Sequence, residues 1–176
     1  MVMTDEMEYT SRELERWLIQ AGQGDRDALN MLYRAAAPAV YAYALSILKN
    51  QHDAEDVLHD CFMTVQEQGR QYKPQGKAMA WLMTVTRNLC LKQLREQQYT
   101  VPLTAVDYFG RWDPDPEDRL LIEGCMQILT DEERQIVVLH AVAGFKFREV
   151  GSHLGQKTDT VKTKYRRAIQ KLKNSL

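Results

Sequence analysis

The chain lacks paired cysteines, a long run of alternating β-branched residues, and any recognisable catalytic signature. Its three cysteines, Cys61, Cys90 and Cys125, are odd in number and far apart. This spacing argues against a disulfide-stapled scaffold and supplies no Cys-x-x-Cys pair for a structural metal. His59 beside Cys61 comes nearest to a ligand pair, and all three thiols are expected to be reduced packing groups. No apolar run reads as a membrane span and no signal-peptide pattern opens the sequence, so a cytoplasmic protein without membrane insertion of its own is expected. A Gly-rich phosphate loop, a His-Glu-x-x-His motif and a nucleophile elbow are all missing. The reading is therefore of a protein that is not an enzyme and uses no cofactor or metal.

What is present suits one ordinary domain or two small ones. The 176 residues are 44% hydrophobic, enough to bury a core. The formal net charge is −1, which taken alone argues against nucleic acid, but the charges are unevenly placed. Acids gather at the start (Asp5, Glu6, Glu8, Glu13, Glu15) and again at Asp113, Asp115, Glu117 and Asp118, whereas the C-terminus is basic. Such asymmetry fits a chain that meets DNA with some surfaces and protein with others.

Nearly every segment carries a helical period, which predicts an all-α fold. A first helix is expected over Ser11–Ala21 with Ser11 as N-cap, and a second stretch from about Asp25 to Lys49, kinked or restarted at Pro38. A third, from about Asp53 to Gln68, has the stripe Ala54, Val57, Leu58, Cys61, Phe62 and Val65. Its other face bears Glu55, Asp56, Asp60 and Glu67 around His59. The polar loop Gly69–Lys77 precedes a fourth helix from about Ala78 to Gln97. Periodicity stops from Tyr99 to Glu117, where Pro102, Pro114 and Pro116 mark a linker. Its large apolar groups, among them Tyr108, Phe109 and Trp112, predict that it lies on a domain or a partner. Helices are then expected near 118–129, 131–143, 146–154 and 158–174, with Thr130 and Glu133 forming a capping box. The domains so defined are 11–98 and 118–176, joined by the linker 99–117.

The last forty residues are the most explicit. A short helix, a turn at Gly155 and a basic second helix form the pattern of a helix-turn-helix. Val161, Tyr165, Ala168, Ile169 and Leu172 make a packing stripe, while Asp159, Thr163, Arg166 and Arg167 face the other way, flanked by Lys162, Lys164 and Lys171. An arginine here suits a bidentate contact to guanine, and Lys171 suits nonspecific contact to phosphate. In the loop, Arg70, Lys73 and Lys77 suit phosphates, Gln71 and Gln75 suit base edges, and Tyr72 suits stacking on an unpaired base.

Four segments together carry a family resemblance: DAEDVLHDCF (53–62), WLMTVTRN (81–88), LTDEERQIVVLH (129–140) and GFKFREVGSHLG with TVKTKYRRA (144–168). In this order, with a linker between the second and third, the chain resembles an extracytoplasmic-function (ECF) sigma factor of the bacterial sigma-70-like family. The likeness extends from about Leu14 to Leu172. It departs from the pattern at Gln156, where an apolar residue is usual, and at Lys92, where an acid is common. The resemblance implies two helical domains: sigma region two, which reads the minus-ten element, and region four, which reads the minus-thirty-five element. It implies core RNA polymerase, promoter DNA and an inhibitory anti-sigma factor as partners. Polymerase docking would fall to Asp53, Glu55, Asp56, His59 and Asp60. Minus-ten contacts would fall to Arg70, Tyr72, Lys73, Gln75, Lys77, Arg87 and Asn88. Minus-thirty-five contacts would fall to Lys157, Thr158, Asp159, Thr160, Lys162, Thr163, Arg166 and Arg167. The rival readings are a helix-turn-helix regulator that is not a polymerase subunit and a nucleic-acid-modifying enzyme with a DNA-binding tail.

Overall fold

The computed structural model describes residues 9–97, 124 and 127–175. The linker 99–117, the helix expected near 118–129 and the Cys125 side chain fall largely or wholly outside these residues. All regular structure among the described residues is helical: α1 (Ser11–Gly22), α2 (Arg26–Leu48), α3 (Gln51–Gln68), a 3-10 turn (Gly69–Gln71), α4 (Ala78–Glu96), α5 (Asp131–Val137), a π turn (Val138–Val142), α6 (Phe147–Leu154) and α7 (Thr158–Ser175).

The helix starts follow from local chemistry. Thr10, and not Ser11, caps α1: its hydroxyl accepts from the Glu13 N–H while the Glu13 carboxylate accepts from Thr10 N. This T-x-x-E box is repeated at Thr130 and Glu133, as the sequence predicts. Asp25 and Asn50 cap α2 and α3 with single side-chain bonds.

α2 is the axis of the fold, and α1, α3, α4 and the π turn all pack on it. It runs unbroken through Pro38 for 23 residues, so of the two expectations there, a kink or a restart, the helix does not restart. It also corrects the reading that no segment has the length and apolarity of a membrane span, since α2 passes that test by composition. Neighbours cover it on nearly every side. Leu32, Ala36, Ala37, Val40, Tyr43 and Ala44 are fully buried, which is the other environment a helix apolar all round can occupy. Its many alanines let adjacent helices approach closely. α2 ends at Lys49, the one non-glycine residue with positive φ (59°) among the described residues.

A single apolar cluster runs from Leu14 in α1 to Val161 in α7, so the two halves share a seam. There the Tyr43 hydroxyl of α2 lies 2.9 Å from His153 Nε2 of α6. The Arg87 guanidinium of α4 donates to the His153 carbonyl at 2.9 Å. The rings of Tyr43 and Phe145 flank His153. At the rim Lys49 pairs with Asp131 at 2.9 Å. The helix expected over 131–143 changes hydrogen-bond register at Val138, and its π turn presents Val138 and Leu139 to the core.

Burial first, and then the Arg87 charge, hold His153 below its ordinary pKa of 6.5. The seam thus favours neutral imidazole. Its contribution to stability is complete above about pH 6.5 and is lost as pH falls below that value. We expect the thermal midpoint to drop more between pH 7.5 and 5.5 in the wild type than in His153→Gln. Equal drops would show that His153 is not the titrating group.

Candidate nucleic-acid and polymerase interfaces

Loop 69–77 is moulded on α1. At its start the two backbones touch: a Cβ on Gly22 would lie 2.5 Å from the Gly69 carbonyl carbon, so both positions require glycine. Arg70 Nε donates to the Gly22 carbonyl at 3.2 Å. Further along, Glu15 Oε1 accepts from the Tyr72 hydroxyl, the Gln75 N–H and the Gly76 N–H, each at 2.7 Å. These bonds, Tyr72 first, hold the Glu15 carboxyl below the usual carboxylate range. Burial first, and then Glu15, push the Tyr72 phenol up to about 12. The Tyr72 ring lies edge-on to Trp81. Tyr72 therefore faces inward as part of the loop scaffold, whereas Gln71, Lys73, Gln75 and Lys77 are exposed.

The other residues assigned to the minus-ten element lie further down α4. Arg87 is turned into the seam and donates to His153. Asn88 is exposed and rims a shallow groove with Leu91, Leu94 and Arg95. Nine residues of helix, about 13 Å of rise, separate Arg87 from the loop's end at Ala78. The structure thus gathers the loop residues and sets Arg87 and Asn88 apart from them.

On α3 the acids divide into two kinds. Asp53 accepts from Gln97 Nε2 at 2.8 Å and so ties α3 to the end of α4. Asp56 and Asp60 are exposed, off the buried stripe of Ala54, Val57, Leu58, Cys61, Phe62 and Val65. Both carboxyls lie above the ordinary range. Partial desolvation is the main cause; Asp53, Asp60 and Glu55 add to it for Asp56, and Glu96 adds to it for Asp60. A cationic partner would relieve this crowding of like charge. Cys61 and Cys90 are buried thiols, each pushed up to about 12 chiefly by desolvation, which suits inert packing groups.

In the C-terminal half, Gly155 adopts φ +67° and ends α6 with its N–H on the Gly151 carbonyl. The Gln156 N–H reaches the same carbonyl at 2.8 Å. The Gln156 side chain accepts from Lys164 at 3.1 Å, which gives this polar residue a partner beside the turn. α7 buries Val161 and Ala168, with Tyr165, Ile169 and Leu172 half-buried beside them. Lys157, Asp159, Thr160, Lys162, Thr163, Arg166 and Arg167 are exposed, and Thr158 is half-exposed at the first turn.

The flanking lysines differ from expectation. Lys164 pairs with Glu132, and Lys171 pairs at 2.8 Å with Glu133, whose side chain is only 8% exposed. Burial raises the Glu133 carboxyl, but Lys171 and the Thr130 N–H outweigh it and hold the group low. Lys171 is thus a stabilising partner of Glu133. Reasoning from sequence missed Glu15, His153 and this pair. Only Glu133 carried a local signal, its capping box.

Two small helical modules, one with a polar loop held against a helix and one with a helix-turn-helix, define a two-part DNA-binding protein. Sigma-70 region 2 matches residues 32–100, and Sigma-70, region 4 matches residues 119–172. ECF RNA polymerase sigma factor SigE of Mycolicibacterium smegmatis is 32% identical over 166 residues, covering 87% of this chain and 64% of SigE, so the chain spans less than two thirds of that relative. The fold is similar to CnrH in complex with the cytosolic domain of CnrY, at a TM-score of 0.62 and 22% identity over 92% of this chain and 96% of CnrH. It is also similar to RpoE in complex with the anti-sigma factor NepR from Bartonella quintana, at a TM-score of 0.60 and 21% identity over 82% and 94%. The chain belongs to the ECF RNA polymerase sigma factors.

Two stability predictions follow from the geometry. Gly22→Ala must push Gly69 away and should cost about 1–3 kcal/mol, read as a lowered urea midpoint against a Gln23→Ala control. Lys171→Ala strands the buried Glu133 carboxylate and should also cost about 1–3 kcal/mol. Its thermal midpoint should fall at neutral pH, while nonspecific DNA affinity changes little.

Proposed function

We propose that this protein binds core RNA polymerase, carries it to particular promoters and supports strand opening, with no chemical step of its own. The observation that supports this best is the pairing on one chain of two surfaces that expose cationic and amide side chains, loop 69–77 and α7, with the exposed Asp56 and Asp60 on α3. In this reading Asp56 and Asp60, with Glu55 and His59 nearby, meet a cationic polymerase surface. Asp53 supports them through its bond to Gln97.

The loop offers Lys73 and Lys77 to phosphates and Gln75 to the bases of the opened minus-ten strand. Unpairing a base costs on the order of a few kcal/mol, which contacts to the exposed strand offset. Tyr72 contributes by shaping the loop, since its hydroxyl is taken by Glu15. Arg87 and Asn88 contact DNA further along α4, and Arg87 must first leave His153. At the start of α7, Lys157, just before the helix, and Thr158, Asp159 and Thr160 enter the minus-thirty-five element first. Arg166 and Arg167 read or clamp it about two turns on, with Lys162 and Thr163 between. An anti-sigma factor, the kind of partner RpoE has in NepR, is the natural inhibitor, and polymerase places the protein in the bacterial cytoplasm. A regulator acting without polymerase would leave the α3 acids without a use.

Run-off transcription with purified core polymerase on a genomic promoter pool tests the whole reading. A stoichiometric complex and promoter-specific transcripts are expected; a regulator would give neither. Within it, Asp56→Lys with Asp60→Lys should weaken core binding by about 10–100-fold and leave the thermal midpoint nearly unchanged. Arg166→Ala or Arg167→Ala should alter the preferred upstream sequence, worth about 1–3 kcal/mol at one base pair. Titrations on a randomised upstream element would reveal an unchanged preference and so remove the base-reading role.

A further inference from the structure

The residues that hold loop 69–77 lie in α1, outside the stretch 32–100 that Sigma-70 region 2 matches. Glu15 gives a single oxygen to three donors from the loop, across 57 to 61 residues of sequence. The Tyr72 hydroxyl in turn accepts from the Lys77 N–H at 3.2 Å. Lys77 is the N-cap of α4 and has no side-chain cap of its own. Glu15 is therefore linked through Tyr72 to the start of the helix that follows the loop. Seven residues along α1, two turns on the same face, Gly22 makes the second clamp against Gly69 and Arg70. Between these two points the loop backbone is fixed while Gln71, Lys73 and Gln75 stay exposed.

We propose that Glu15 is a positioning residue that sets the conformation in which loop 69–77 reads the minus-ten strand, an inference that rests on the assignment of that loop to minus-ten recognition. The physical reason is preorganisation. The Gln75 and Gly76 N–H groups are adjacent, and the single Glu15 oxygen accepts from both. Without it the loop samples other arrangements, and the entropy of ordering it falls on the DNA-binding step. The cost is greatest for the matching strand, because only that strand engages Gln75 and its neighbours in one geometry. Glu15 thereby acts on base preference without touching a base.

The test uses the full chain bound to core polymerase and a set of promoters, pre-opened across the minus-ten element, in which each base is varied in turn. Glu15→Ala should lose about tenfold of the preference for the best base, equivalent to about 1.4 kcal/mol, with core affinity and upstream-element preference unchanged. Glu15→Gln should keep most of it, because an amide oxygen can accept the same bonds, and Tyr72→Phe should fall between the two. Wild-type base preference in Glu15→Ala, alongside altered preference in Lys73→Ala or Gln75→Ala, would overturn the role of Glu15 and leave the loop assignment standing. Unaltered preference in the loop variants as well would overturn the loop assignment and this proposal together. An equal loss of preference in Glu15→Gln and Glu15→Ala would also overturn it, since the hydrogen-bonding oxygen would not be what matters.

Discussion

The encasement of α2 is the constraint on which the rest of the structure depends. A helix as apolar as α2 is from Ala35 to Leu48 has two stable environments, a bilayer or the centre of a protein. Here α1, α3 and α4 cover three sides and the π turn of the C-terminal half covers the remaining one. Each buried large side chain, such as Leu32 or Val40, contributes roughly 1.5–3 kcal/mol. The acidic helix, the loop and the helix-turn-helix are all indexed to this rod. The small residues of α2 set how close they come: Ala36, Ala37 and Ala44 have no exposed surface left.

The carboxylates show where the molecule has finished its electrostatic work and where it has not. Glu13, Glu15, Asp131 and Glu133 sit below the usual range because each has found N–H, hydroxyl or ammonium donors within the chain. Asp56 and Asp60 sit above it, chiefly through partial desolvation, with neighbouring carboxylates adding to it at Asp56. The first group builds structure: two close capping boxes, one binds the loop and one ties the seam. The second group lies exposed along the outer face of α3.

Much of the fold was legible because it is written in local periods. The stripe on α3 from Ala54 to Val65 and the stripe on α7 from Val161 to Leu172 predict which face is covered, and the structure covers those faces. The Thr130–Glu133 box was equally plain. Pro38 does not restart the helix, because a proline penalises a helix without forbidding it, and the burial of α2 outweighs the lost hydrogen bond. The same burial explains why composition alone could not tell α2 from a membrane helix. The candidate site was legible as residue types and only partly as geometry. Tyr72 has the right chemistry for stacking, and its hydroxyl is also taken by Glu15, 57 positions earlier. Arg87 has the right charge for phosphate, but a carbonyl 66 positions away receives it. Such pairings depend on the packing of whole helices, and no short window of sequence carries them.

The two faces of α7 have separate duties. Lys164 and Lys171 hold the helix to Glu132 and Glu133, and Val161 and Ala168 fill the space beneath it. None of these positions coincides with Lys162, Thr163, Arg166 or Arg167 on the exposed face. Glu133 also caps α5 through Thr130, so one carboxylate secures the beginning of one helix and the late turns of another. Because the holding residues and the outward residues alternate along the helix without overlapping, the outward ones can be exchanged with little cost to the fold. On the proposed reading of α7, the helix is a fixed mount whose outward surface can change by point substitution while the mount stays as it is.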